Sequence, residues 1–153
     1  MPIEANKALV RRYLDMYTSG DVRIADDILA ANFVDHSHPE LPPGPAPVKR
    51  MVADVHAAFP DAKTMVEDMI GEGDAVAFRF TLRGAHAGPF AGIPPSGRMV
   101  ILTGMDFIRI ANGRIIELWS SQDTLSWALQ LGLVEWTTGR APAERTIQPE
   151  ESR

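Results

Sequence analysis

The side chains of this sequence best suited to moving protons are two aspartates and two histidines, and each also has a bland structural reading. Asp106 is flanked by Met105, Phe107 and Ile108. A carboxylate in such apolar company suggests a pocket role, the alternative being a charge at a strand edge or dimer rim. Asp123 stands directly before Thr124-Leu125-Ser126-Trp127, where it can cap a helix or accept a proton. His36 and His86 could protonate or hydrogen-bond a substrate carbonyl, although lone histidines are more often structural. His86 keeps the parity of Val76, Phe78, Phe80 and Leu82, so without a bulge it points to the core face. His38 and His56 have less support, one lying in a proline-rich loop and the other on a helix. Glu117 could be a further acid–base group, but an ion pair with Arg79, Arg83 or Arg109 is the simpler expectation.

His36-Ser37-His38 invites a test for metal, with Asp35 or Glu40 adding oxygen. No helical or loop motif supplies a third ligand at a recognisable spacing, so metal is not expected. Tyr17, Phe59, Phe78, Phe80 and Trp119 have the character of walls for a flat hydrophobic ligand. Large apolar side chains at helical or strand spacing are usually core, but the Tyr17 hydroxyl can meet a ligand while its ring packs. The glycine- and proline-rich stretch Gly88–Gly97 has no phosphate-binding pattern, though it could cover a pocket mouth.

The elements that must position these groups follow from period and punctuation. Leu9, Tyr13, Met16 and Tyr17 recur at helical steps, and Gly20 supplies the stop. Asp21 is expected to cap a short second helix carrying Ile24, Ile28 and Leu29. Residues 32–36 are a strand or turn. Five prolines within 39–47 read as neither helix nor central strand. A third helix carries Met51, Val52, Val55 and Phe59 on one side and ends at Pro60. The period then becomes two: strands over 63–71 and 76–82, a loop over 88–97, and a long strand over 98–110. Asn112-Gly113 is a hairpin signal, followed by an antiparallel return over 114–122 and a last helix over 124–131. A two-residue turn would place residue 110 opposite 115 and residue 106 opposite Trp119. Asp106, Trp119 and Asp123 would then share one face, unless a bulge slips the register.

The chain of 153 residues suits one domain, expected over 1–134, with a polar tail over 135–153. No apolar run could cross a bilayer, and the N-terminus does not resemble a secretory leader. A net charge of −5, with scattered Lys and Arg, argues against a nucleic-acid partner. The absence of cysteine excludes thiolate chemistry and disulfides. The expected location is cytoplasmic, with no membrane association. Helices followed by a run of strands indicate α+β with an antiparallel sheet.

Several stretches, in this order, resemble the SnoaL-like polyketide cyclases, also known as predicted ester cyclases, within the nuclear transport factor 2-like superfamily. They are Asn32-Phe-Val-Asp-His36, His86 to Gly97, Thr103-Gly-Met-Asp106, and Asn112 to Trp119 followed by Asp123. The resemblance implies a cone-shaped curved antiparallel sheet wrapped around three N-terminal helices, enclosing a pocket. It also implies a homodimer or homotetramer, and intramolecular aldol-type ring closure with no metal or organic cofactor. The family's base, an aspartate late in the final strand, corresponds here to Asp123, with His86 or His36 supplying a proton and Asp106 in reserve. The expected substrate is small, hydrophobic and carbonyl-rich. The rival readings are an epoxide hydrolase or ketosteroid-isomerase-like enzyme in the same cone, or a dimeric small-molecule-binding module without turnover.

Overall fold

A computed structural model describes residues 2–137. In chain order the elements are α1 (Ile3–Ser19), α2 (Ile24–Ile28), β1 (Leu29–Asp35), α3 (Pro45–Ala58), β2 (Lys63–Glu72), β3 (Ala75–Ala85), β4 (Met99–Ala111), β5 (Arg114–Gln122) and α4 (Thr124–Leu131). The fold is the expected α+β arrangement of N-terminal helices on a curved five-stranded sheet of order β1-β5-β4-β3-β2. One departure concerns direction. β1 runs parallel to β5, so only the other four strands form an antiparallel meander.

α1 buries Leu9, Val10, Tyr13, Leu14 and Met16, the apolar stripe that its spacing dictates. Gly20 ends it at φ +71°, with its amide on the Met16 carbonyl at 2.8 Å. A Cβ at this position would fall 2.6 Å from the His56 ring, so the glycine also lets α1 approach α3. Asp21 does not cap α2 directly. Its carboxylate takes the Arg23 amide and guanidinium instead, forming a turn before the helix. Pro45 and Pro47, expected in a loop, begin α3. The first helical turn has no use for their missing amides, so proline is tolerated there.

The inner face of the sheet carries Val76, Phe78, Phe80 and Leu82 from β3 and Val100, Ile108 and Ile110 from β4, all in one core with α1 and α3. α4 closes the core with Trp127 and Leu131. The outer face leaves Met99, Ile101, Met105, Phe107 and Trp119 exposed.

The β4–β5 hairpin turns on two residues, Asn112 (φ +51°) and Gly113 (φ +71°), and Ile110 pairs with Ile115. The register then slips. Arg109 pairs with Glu117, leaving Ile116 as an extra residue, and Asp106 meets Ser120 rather than Trp119. Because side chains alternate faces, this one-residue bulge puts Asp106 and Ser120 inside and Trp119 outside. The expected grouping of Asp106 with Trp119 is therefore corrected. None of the described helices is long and apolar enough to cross a membrane.

Candidate active site

β4 carries Asp106 into the interior, where its residue is only 6% exposed and its Oδ1 has no hydrogen-bond partner. Its cross-strand neighbours are Phe78 on β3 and Ser120 on β5. Burial pushes its carboxyl up to about 6, helped by the negative Asp35 and opposed by the neighbouring Ser120 hydroxyl. Two tyrosines from α1 share this region. The Tyr13 and Tyr17 hydroxyls lie 3.4 Å apart, and the Tyr17 hydroxyl donates to Met51 Sδ at 3.7 Å. Burial raises the Tyr17 phenol to about 12, with Asp106 and Asp35 adding to the rise and the Tyr13 hydroxyl countering it. Tyr13 is pushed well above its ordinary value by burial, then by Tyr17 and Asp106. Both phenols thus stay protonated and able to donate.

A cavity of about 250 Å³ opens beside this cluster, between the end of β1, the proline-rich segment and the start of α3. Asp35, His38 and Met51 are among its lining residues. Met51 bridges the two regions, since its side chain faces the cavity while its sulfur receives the Tyr17 hydroxyl. Neither Asp106 nor either tyrosine lines the cavity, so reaching them from it requires Met51 to turn aside, a movement its three rotatable bonds allow at low cost.

Of the residues singled out in the sequence, Asp106, Tyr17 and Phe78 come together here, with Phe80 next along the same face. The others go elsewhere. Asp123 is the exposed N-cap of α4, its carboxylate accepting the Ser126 amide at 3.0 Å. His36 stands on the outer face, stacked on Trp119 at 4.3 Å and bonded to Glu117 at 3.1 Å. Trp119 leaves the pocket because the Ile116 bulge sets the parity of this end of β5, and His36 because it alternates with the inward-facing Asp35 at the end of β1. His86 is fully buried, as its parity requires, but serves the loop after β3. Its Nδ1 takes the Ser96 amide at 3.3 Å and lies 3.0 Å from the Ser96 hydroxyl, and its ring packs on Phe59. Phe59 in turn joins Phe90 and Trp127 in an aromatic cluster that does not line the cavity.

The sequence marks Tyr13 on the apolar face of α1 and Asp35 and His38 as candidate metal ligands, but it does not join the three. Asp35 Oδ1 accepts the Ser37 amide at 2.9 Å, and Oδ2 lies 2.8 Å from His38 Nδ1. The signal available was Asp35-x-x-His38, a spacing at which an aspartate that ends a strand can turn the chain and hold the imidazole. His36 and His38, two residues apart, diverge to opposite faces.

The family model of the SnoaL-like polyketide cyclases matches residues 7–131. No curated protein matches. Among solved structures, the chain is similar to TsrD from Streptomyces laurentii at 26% identity and a TM-score of 0.80, covering 88% of this chain and 99% of that one. It is similar to a candidate SnoaL-like polyketide cyclase from Jannaschia sp. CCS1 at 27% identity and 0.74, covering 88% and 97%. It also resembles IdmH, a candidate polyketide cyclase from Streptomyces antibioticus, at 30% identity and 0.71, covering 83% and 98%. With most of its length matched by the family model and its fold shared with these proteins, the chain belongs to the SnoaL-like polyketide cyclase family.

Proposed function

We propose that this chain is an enzyme that closes a ring in a small, hydrophobic, carbonyl-rich, polyketide-like molecule by acid–base chemistry, with Asp106 as the general base. The observation that carries the reading is the buried Asp106 carboxylate with an unpartnered oxygen. A carboxylate raised to about 6 is ionised at neutral pH yet more basic than one in water. It can take a proton from a carbon flanked by carbonyl groups. The resulting enolate oxygen would find donors in the Tyr17 and Tyr13 hydroxyls, whose raised values keep them neutral. The cavity lies at the small end of ligand pockets, which favours a substrate of one or two rings over a larger polycycle. The likeness to IdmH supports the choice of substrate class.

The test is hydrogen–deuterium exchange at the acidic carbon of an aryl β-keto ester, followed by NMR. Wild-type protein should accelerate exchange over buffer, and Asp106→Asn should slow it by on the order of 10²-fold. Exchange no faster than buffer, or an Asn variant as fast as wild type, would sink the base assignment.

A second copy of the chain covering the outer sheet face belongs to the same reading. Met99, Ile101, Met105, Phe107 and Trp119 form an exposed apolar strip there, large for a surface left in water.

A further inference from the structure

Asp35 and His38 form a built pair with no task in the ring closure as described so far. Asp35 ends β1 beside the buried Leu118, and both its oxygens are committed, one to the Ser37 amide and one to His38 Nδ1. With Nδ1 on a carboxylate, Nε2 is the nitrogen left to act, and it makes no hydrogen bond to the described residues. The ring lines the cavity and its side chain is 40% exposed, so a bound molecule can reach it. The same wall carries Pro39, Pro42, Pro43 and Pro47. Proline has no amide hydrogen, so these residues offer a carbonyl oxygen no competing donor.

The sheet sets the span between this pair and the base. Asp35 pairs with Leu118 and Asp106 with Ser120, both partners being on β5. Asp35 and Asp106 therefore flank that strand, two strand spacings apart and offset by two residues along it, which puts their backbone positions roughly 12 Å apart. A molecule reaching from the cavity past Met51 would meet the His38 imidazole at one end and the Asp106 carboxylate at the other.

We propose that His38, oriented by Asp35, donates the proton to the acceptor carbonyl in ring closure, an inference that rests on Asp106 being the base. Asp106 takes a proton from the activated carbon, and that carbon's electron pair forms the new bond to the acceptor carbonyl carbon. The carbonyl π pair moves onto its oxygen, which takes a proton from the imidazolium Nε2. Asp106 is left protonated and His38 neutral. Loss of one proton to water and uptake of another restores both. Asp35 holds the ring by Nδ1 and leaves Nε2 free toward the pocket.

Two probes separate donor from base. An aryl β-keto ester has the acidic carbon but no acceptor, so its deuterium exchange reports proton abstraction alone. Its homologue with a ketone placed for six-membered closure reports the whole reaction. His38→Asn keeps an N–H near the position of Nδ1 and deletes Nε2. Its ring closure should fall on the order of 10²-fold further than its exchange, with Asp35→Asn moving the same way. Imidazole added to His38→Ala should restore closure, which a merely structural histidine would not allow. Equal loss of closure and exchange, or undiminished closure, would overturn the assignment. Should His38→Asn not fold, as judged by circular dichroism, His38→Ala measured with and without added imidazole carries the same comparison. Failure of the base reading is distinct, because it appears as wild-type exchange in Asp106→Asn.

Discussion

The Ser37 hydroxyl holds both backbone groups of Ser120, accepting its amide at 2.6 Å and donating to its carbonyl at 3.1 Å. This clamp fastens the turn that carries Asp35 and His38 to the β5 residue paired with Asp106. Ser37→Ala removes both bonds and leaves a partly buried amide unsatisfied, at a cost of about 1–3 kcal/mol. It should lower the melting temperature, and it should lower ring closure more than substrate affinity because it shifts the donor relative to the base. Thermal unfolding together with kcat and KM checks both.

Asp106 makes a prediction about pH. As a base it must be ionised, so turnover should fall as pH drops through about 6. Stability runs the other way. The folded carboxyl binds its proton more tightly than the ordinary value of 3.8, so its contribution is complete below about 4 and is lost as pH rises through 6. Asp106→Asn cannot titrate. Its stability relative to wild type should therefore improve by up to about 3 kcal/mol between pH 4 and pH 8. Denaturant melts of both proteins at the two pH values measure this difference, and a constant difference would contradict the buried, raised carboxyl.

Asp123 supplies the contrast. Asparagine caps a helix about as well as aspartate, so Asp123→Asn should retain both melting temperature and turnover, whereas Asp123→Ala should lose about 1 kcal/mol. A large loss of turnover in a fully folded Asn variant would return the base to Asp123.

The exposed strip on the outer face predicts association through that face. Light scattering at low micromolar concentration should give a dimer or tetramer mass. Phe107→Asp, which places a charge in the middle of the strip beside Trp119, should give a monomer that keeps its far-ultraviolet circular dichroism.

The fold was open to reading because its signals are local. Gly20, Asn112-Gly113 and Gly132 stop or turn the chain where the sequence places them, and the period changes from helical to alternating after Pro60. The site was harder, because it depends on a single count. Nothing in Ile115-Ile116-Glu117 marks Ile116 as unpaired, since two successive isoleucines fit a regular ladder equally well. That bulge decided the position of Trp119. Asp106 was recognisable because its apolar flanks sit on adjacent positions of one strand. His38 was obscured by its proline-rich surroundings, and its partner Asp35 belongs to a strand too short to announce itself.

The bulge also says something about how such a pocket could change its chemistry. Up to Ile115 the hairpin follows one phase, and from Glu117 onward it follows the other. Deleting Ile116 would leave the interior lining intact, because the shortened strand would still pair Arg109 with Glu117 and Asp106 with Ser120, now in a regular ladder. Flattening the bulge with Ile116 retained would instead shift the register by one, turning Glu117 and Trp119 toward the interior and Leu118 and Ser120 toward the surface. An acid and a large aromatic would then replace a leucine and a serine on the wall, with no substitution at any of those positions. A one-residue change of pairing register is thus a short path from this interior lining to a different one.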